Sequence, residues 1–134
     1  MFDQGSCVTN KSITVLLVDD EISLLESVRR RLEYRGFKVI AVNSGEEALK
    51  VAQAEVVDVA IIDVKMPGMD GKEVMQRLKH DHPEMGVIMV TGHGSFSFKE
   101  EEVSGMIDAC LAKPCDLATL QEAIQSAARK RSDG

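Results

Sequence analysis

A chain of 134 residues with 44% hydrophobic and 28% charged content has the size and balance of one soluble globular domain. Its formal net charge of −6 argues against nucleic acid as the domain's main partner and suits a metal site, or a basic or apolar protein partner. Cys7, Cys110 and Cys115 have neither disulfide-framework nor zinc spacing, which points to a reduced, cytoplasmic setting. No apolar run approaches the roughly 18–20 residues of a membrane span, so no membrane partner is expected.

Met1 to Ser12 lacks the basic and apolar regions of a signal peptide and reads as a polar tail, residues 1–12. The first strand is Val15 to Val18, running into Asp19-Asp20-Glu21. Glu21 to Arg35 follows as a helix, with Ile22, Leu25, Val28 and Leu32 about one turn apart and Gly36 as its stop. Phe37 to Val42 is a second strand. Ser44 and Glu47 then have capping-box spacing for a short helix ending near Ala54. Val57 to Ile62 is nearly continuous in apolar residues, as a strand covered on both faces should be, and it runs into Asp63.

Residues 64–71 contain Pro67, Gly68 and Gly71 and read as a loop. Lys72 to His80 is helical, with Val74, Met75 and Leu78 inward. Gly86 to Val90 is the fourth strand, ending at Thr91, and Ser95 to Ser104 is a helix with an acidic outer face at Glu100, Glu101 and Glu102. Ile107 to Ala112 is the fifth strand, ending at Lys113-Pro114. Asp116 caps a last helix carrying Leu117, Leu120, Ala123, Ile124 and Ala127, whose basic end at Arg129-Lys130-Arg131 suits the helix dipole. The folded domain is expected over residues 13–130, with a short tail at 131–134.

Strict βα alternation predicts an α/β fold: a doubly wound parallel sheet of five strands with five helices on its two faces and right-handed crossovers. The flavodoxin-like order 2-1-3-4-5 suits five strands and puts strands 1 and 3 side by side at the switch point, where such sheets bind ligands. Asp19, Asp20 and Asp63 end those two strands. Alone, the Asp19-Asp20 pair would be an ordinary solvated turn. Neighbouring strands are about 4.8 Å apart, so Asp63 should lie within roughly 5 Å of the pair. Like charges at that distance repel by about 3 kcal/mol at an effective dielectric near 20, so the cluster protonates or holds a cation. An all-oxygen site with room for waters and phosphate oxygens suits Mg2+, with Mn2+ as a substitute.

Thr91 alone would be a β-favouring strand end, and Lys113 alone a surface lysine. At the same edge they supply a hydroxyl and an ammonium for an anion, and Gly92, His93 and Gly94 leave room and backbone N–H groups beside them. The histidines lack metal-ligand spacing. No nucleotide-binding glycine loop or Gly-x-Ser-x-Gly elbow is present.

Four motifs in order, Val-Asp-Asp-Glu at 18–21, Asp-Val-Lys-Met-Pro-Gly-Met-Asp-Gly at 63–71, Val-Thr-Gly-His-Gly at 90–94 and Lys-Pro at 113–114, resemble those of response-regulator receiver domains of bacterial two-component signalling. The match covers about Ile13 to Arg129. The resemblance implies that Asp63 accepts a phosphoryl group from the phosphohistidine of a sensor histidine kinase or phosphotransfer protein. It implies direct Mg2+ ligation by Asp20, Asp63 and the Lys65 backbone carbonyl, with Asp19 acting mainly through water and Thr91 and Lys113 contacting the phosphoryl oxygens. It also implies slow self-dephosphorylation and a switched protein-interaction surface, whether in a stand-alone receiver or in part of a longer regulator or hybrid kinase. Family members usually carry an aromatic residue three positions before the lysine. Cys110 stands there here, so an atypical output surface is expected. Two other readings compete: an interaction module that keeps the site for stability alone, and an aspartyl phosphatase. The phosphatase reading is disfavoured because Lys65 stands where the second aspartate of the usual Asp-x-Asp would be.

Overall fold

A computed structural model describes residues 13–64, 71–91, 107–113 and 116–133, with side chains in the last segment described through Arg129. The elements are β1 (Thr14–Val18), α1 (Ile22–Tyr34), β2 (Lys38–Val42), α2 (Gly45–Ala54), β3 (Val59–Asp63), α3 (Gly71–Asp81), β4 (Gly86–Thr91), β5 (Ala109–Ala112) and α4 (Leu117–Asp133). All strand pairs are parallel, and the order is β2-β1-β3-β4-β5, as the alternation requires. The helix expected over Ser95–Ser104 and the tail over residues 1–12 lie outside the described residues.

Alternate residues of each central strand feed opposite core layers. Leu16, Val18, Ala60, Ile62, Val87 and Met89 pack with Ala48 and Ala52 of α2 and Val74, Met75 and Leu78 of α3. Val15, Leu17, Val59, Ile61, Ile88 and Val90 pack with Leu25 and Leu32 of α1 and Leu120, Ile124 and Ala127 of α4. Each fully buried Leu or Ile in these layers contributes about 1.5–3 kcal/mol. This two-sided burial explains why the strands read as continuous apolar runs rather than alternating ones.

The helix ends follow local chemistry. Gly36 sits at φ 101° and its N–H reaches the Glu33 carbonyl at 3.0 Å, while the Phe37 N–H reaches that of Leu32 at 3.2 Å. This paired pattern, with Phe37 and Leu32 buried in the same layer, ends α1 and aims the chain into β2. The Ser44 hydroxyl accepts from the Glu47 N–H at 3.2 Å, as the capping spacing predicts, whereas the Glu47 carboxylate takes the Asn43 N–H at 3.4 Å. Asp116 caps α4 through the Thr119 N–H at 2.7 Å.

Two strands begin later than their apolar runs. Asp58 accepts the Thr14 N–H at the start of β1 at 2.8 Å, and Asp108 accepts the Val87 N–H of β4 at 2.8 Å. Each carboxylate satisfies an N–H on the neighbouring strand, so the chain before β3 and before β5 is set by side-chain capping. Ile22, expected on the inward stripe of α1, is 59% exposed because it is the helix's first residue, at the open carboxyl edge of the sheet.

Candidate acidic cation and phosphoryl site

Asp19 follows β1, held there by its N–H to the Val42 carbonyl at 3.2 Å. Asp63 is the last residue of β3, paired in register with Val90, and Thr91 ends β4 one residue further on. All three are buried, at 7%, 7% and 9% exposure, although none is apolar. Asp20 is exposed. One carboxylate oxygen each from Asp19, Asp20 and Asp63 lies within 4.8 Å of the others. The expected juxtaposition across the switch point is present.

Lys113 enters from the end of β5, where its N–H bonds the Thr91 carbonyl at 2.7 Å. Its ammonium lies 2.9 Å from Asp19 Oδ2 and 3.5 Å from Asp63 Oδ2. Burial opposes the ammonium's charge. The Asp19 hydrogen bond and the pull of Asp19 and Asp63 outweigh it, so the Lys113 pKa is raised and the ammonium stays charged near neutrality. Asp19 is pinned on both oxygens, since Oδ1 accepts the Glu21 N–H at 2.9 Å. The sheet edge thus sets an anionic trio against one fixed cation, with Thr91 on the adjoining strand.

The donor set fits a hard divalent cation: it is all oxygen and strongly anionic, with one member open to solvent. Lys65, whose main-chain carbonyl the family resemblance implies as a ligand, lies outside the described residues, as do Gly92, His93, Gly94 and Pro114.

One residue shaping the site was not singled out in the sequence. Gly71 opens α3, its N–H bonding the Val64 carbonyl at 3.0 Å. A Cβ there would stand 2.2 Å from the Asp63 carbonyl oxygen and 2.8 Å from the Val64 Cα. Only a residue without a side chain lets α3 approach the end of β3 this closely, and so fix the backbone of Asp63. The available signal was its place: a glycine at the junction of a proline-glycine loop and a helix marks close backbone approach.

Cys110 lies on β5 opposite Met89, and it is exposed. Partial burial nevertheless raises its thiol pKa. Cys110 should therefore alkylate more slowly than a free cysteine at pH 7.5 and accelerate as the pH rises. Peptide-resolved iodoacetamide labelling reads this, and a rate equal to free cysteine would contradict it.

A family model described as the response regulator receiver domain matches residues 15–125. Transcriptional regulatory protein GlrR of Escherichia coli is 35% identical over 120 residues, which are 90% of this chain and 27% of that protein. This chain therefore spans about a quarter of that curated relative's length. A response regulator receiver domain protein from Clostridium thermocellum superposes with a TM-score of 0.82 at 30% identity, covering 90% of this chain and 97% of that one. Response regulator TrrA from Thermotoga maritima, solved in complex with Mg2+-BeF, gives a TM-score of 0.77 at 26% identity over 86% of this chain and 98% of that one. No helix among the described residues is long and apolar enough to cross a membrane. With the family model spanning the sheet from β1 into α4, and the acidic edge lying within that span, this chain belongs to the response regulator receiver domain family.

Proposed function

We propose that Asp63 is the phosphoryl acceptor of this domain, taking the group from the phosphohistidine of a sensor histidine kinase or phosphotransfer protein and losing it slowly to water. The observation that carries this reading is Asp63 itself. It is a buried carboxylate at the switch-point edge, within 4.8 Å of two other carboxylates and 3.5 Å from an ammonium. A carboxylate oxygen of Asp63 forms the new bond to phosphorus while the bond from phosphorus to the donor's imidazole nitrogen breaks, the electron pair leaving with that nitrogen. Phosphoryl transfer depends on positioning and on neutralising the equatorial oxygens more than on a strong base.

The Lys113 ammonium, 3.5 Å from Asp63 Oδ2, would neutralise one of those oxygens once it is drawn from Asp19, and the Thr91 hydroxyl would donate to another. Asp19, Asp20, Asp63 and the main-chain carbonyl of Lys65 would hold Mg2+, or Mn2+ in its place. The bound cation supplies charge neutralisation for the acceptor and the phosphoryl oxygens. That TrrA was solved in complex with Mg2+-BeF supports a cation-dependent reading of this domain. Once phosphorylated, Asp63 draws the Thr91 hydroxyl toward it, and the end of β4 transmits the change to a partner surface. The output would be a further domain or a separate protein, since the GlrR relative is a transcriptional regulator about four times longer than the matched segment.

The test is phosphoryl uptake from acetyl phosphate with Mg2+, read by intact mass. Wild type should gain one phosphoryl unit and Asp63→Asn none. Uptake by the variant at the wild-type level would refute the assignment.

A further inference from the structure

Directly beneath the acidic edge lies a cavity of about 140 Å3 in the α1/α4 half of the core. Its apolar walls are Leu17, Val18, Ile61 and Val90 from three adjacent strands, Leu24, Leu25 and Val28 from α1, and Leu120 from α4. Asp19, Asp63 and Lys113 also line it, so the space runs from the hydrocarbon core up to the ion-paired trio. Interiors at normal density leave few voids of this size, and the walls of one forfeit dispersion contacts on their open side. Apolar cavities of about 150 Å3 take up benzene or xenon.

We propose that this cavity is a binding site for a compact apolar molecule of about benzene's size, coupled to the acidic edge through Lys113. The wall chemistry selects the ligand class. Eight aliphatic side chains make most of the wall, and the charged groups of Asp19, Asp63 and Lys113 at its upper end are engaged with one another, so a polar molecule would lose most of its hydration without compensation, whereas a hydrocarbon regains the missing contacts. The coupling follows from shared residues. Lys113 forms part of the wall while it bridges Asp19 and Asp63, so a ligand fitted to that shape favours the bridged arrangement. A cation drawing on the same two carboxylates competes with the bridge, and each ligand must weaken the other by the same factor. This second half rests on the cation reading given above. The cavity itself does not.

Benzene titration followed by methyl-resolved NMR tests both halves on the intact chain. Saturable shifts confined to the methyls lining the cavity, those of Leu17, Val18, Leu24, Leu25, Val28, Ile61, Val90 and Leu120, are expected. No shift at benzene saturation, or shifts spread evenly through both core layers, overturns the site. Val28→Phe, whose larger side chain enters the space, should abolish the uptake, and Val28→Ala, which widens it, should keep it; unchanged uptake in Val28→Phe overturns the location. With benzene saturating, the Mg2+ concentration giving half-maximal change at Asp19 and Asp63 should rise about five-fold. An unchanged Mg2+ midpoint overturns the coupling. Confined benzene uptake in a protein that takes up no Mg2+ overturns the cation reading and supports the cavity.

Discussion

Gly71→Ala should destabilise the domain by about 3 kcal/mol and remove most of its phosphoryl uptake. Alanine is the better helix former by about 1 kcal/mol, so propensity alone predicts a gain at this first position of α3. Sterics reverse the sign. The added Cβ would stand 2.2 Å from the Asp63 carbonyl oxygen and 2.8 Å from the Val64 Cα, both backbone atoms that cannot rotate away. Relief requires α3 to move off the end of β3, which strains the Gly71 N–H bond to the Val64 carbonyl and loosens Val74, Met75 and Leu78 from their layer. The same movement shifts Asp63 relative to Asp19 and Lys113. Urea denaturation should show a midpoint lower by about 1–2 M, given a slope of roughly 2 kcal/mol per molar. An unchanged midpoint with normal uptake would show that α3 does not position the acceptor.

Asp63→Asn should have the opposite effect on stability. Asp63 faces two carboxylates within 4.8 Å, each repelling it by about 3 kcal/mol at an effective dielectric near 20. Lys113 at 3.5 Å returns about 5 kcal/mol on the same scale, so repulsion prevails. The balance is about 1 kcal/mol of net repulsion, which solvent around exposed Asp20 trims further, so neutralising Asp63 should stabilise the cation-free protein by up to about 1 kcal/mol, a rise of a few degrees in Tm. Added Mg2+ should stabilise wild type by about 2.7 kcal/mol at a hundred times its Kd, and the variant far less. Lys113→Ala should lower stability without Mg2+, because it leaves buried Asp19 and Asp63 without their shared cation. Calorimetry on the three proteins with and without Mg2+ reads all of this. An Asp63→Asn protein that melts below wild type without Mg2+, or gains as much from it, would contradict the charge account.

What was legible in the sequence was what depends on period and order. Continuous apolar runs such as Val59-Ala60-Ile61-Ile62 identified strands covered on both faces, and alternation with helices fixed a parallel sheet whose order brings Asp19 and Asp63 together. Gly36, Ser44 and Asp116 were readable because caps act over one to three residues. What was hidden depends on distances between side chains far apart in the chain. Lys113 was visible as a cation at the right edge, but its bridge to Asp19 spans 94 positions. Asp58 and Asp108 fell inside the expected strands Val57–Ile62 and Ile107–Ala112, and their capping role stayed hidden because the N–H groups they accept belong to neighbouring strands. Ile22 fitted the stripe of α1 by spacing, yet spacing cannot say that the core layer ends beneath it.

The most direct measurement is to trap the phosphoryl linkage chemically. Wild-type protein treated with acetyl phosphate and Mg2+, then reduced with borohydride, converts an aspartyl phosphate to the corresponding alcohol, which peptide mass spectrometry locates. Conversion is expected at Asp63 and nowhere else. Conversion at Asp19 or Asp20, or a phosphoryl group carried on a histidine such as His80, would contradict it.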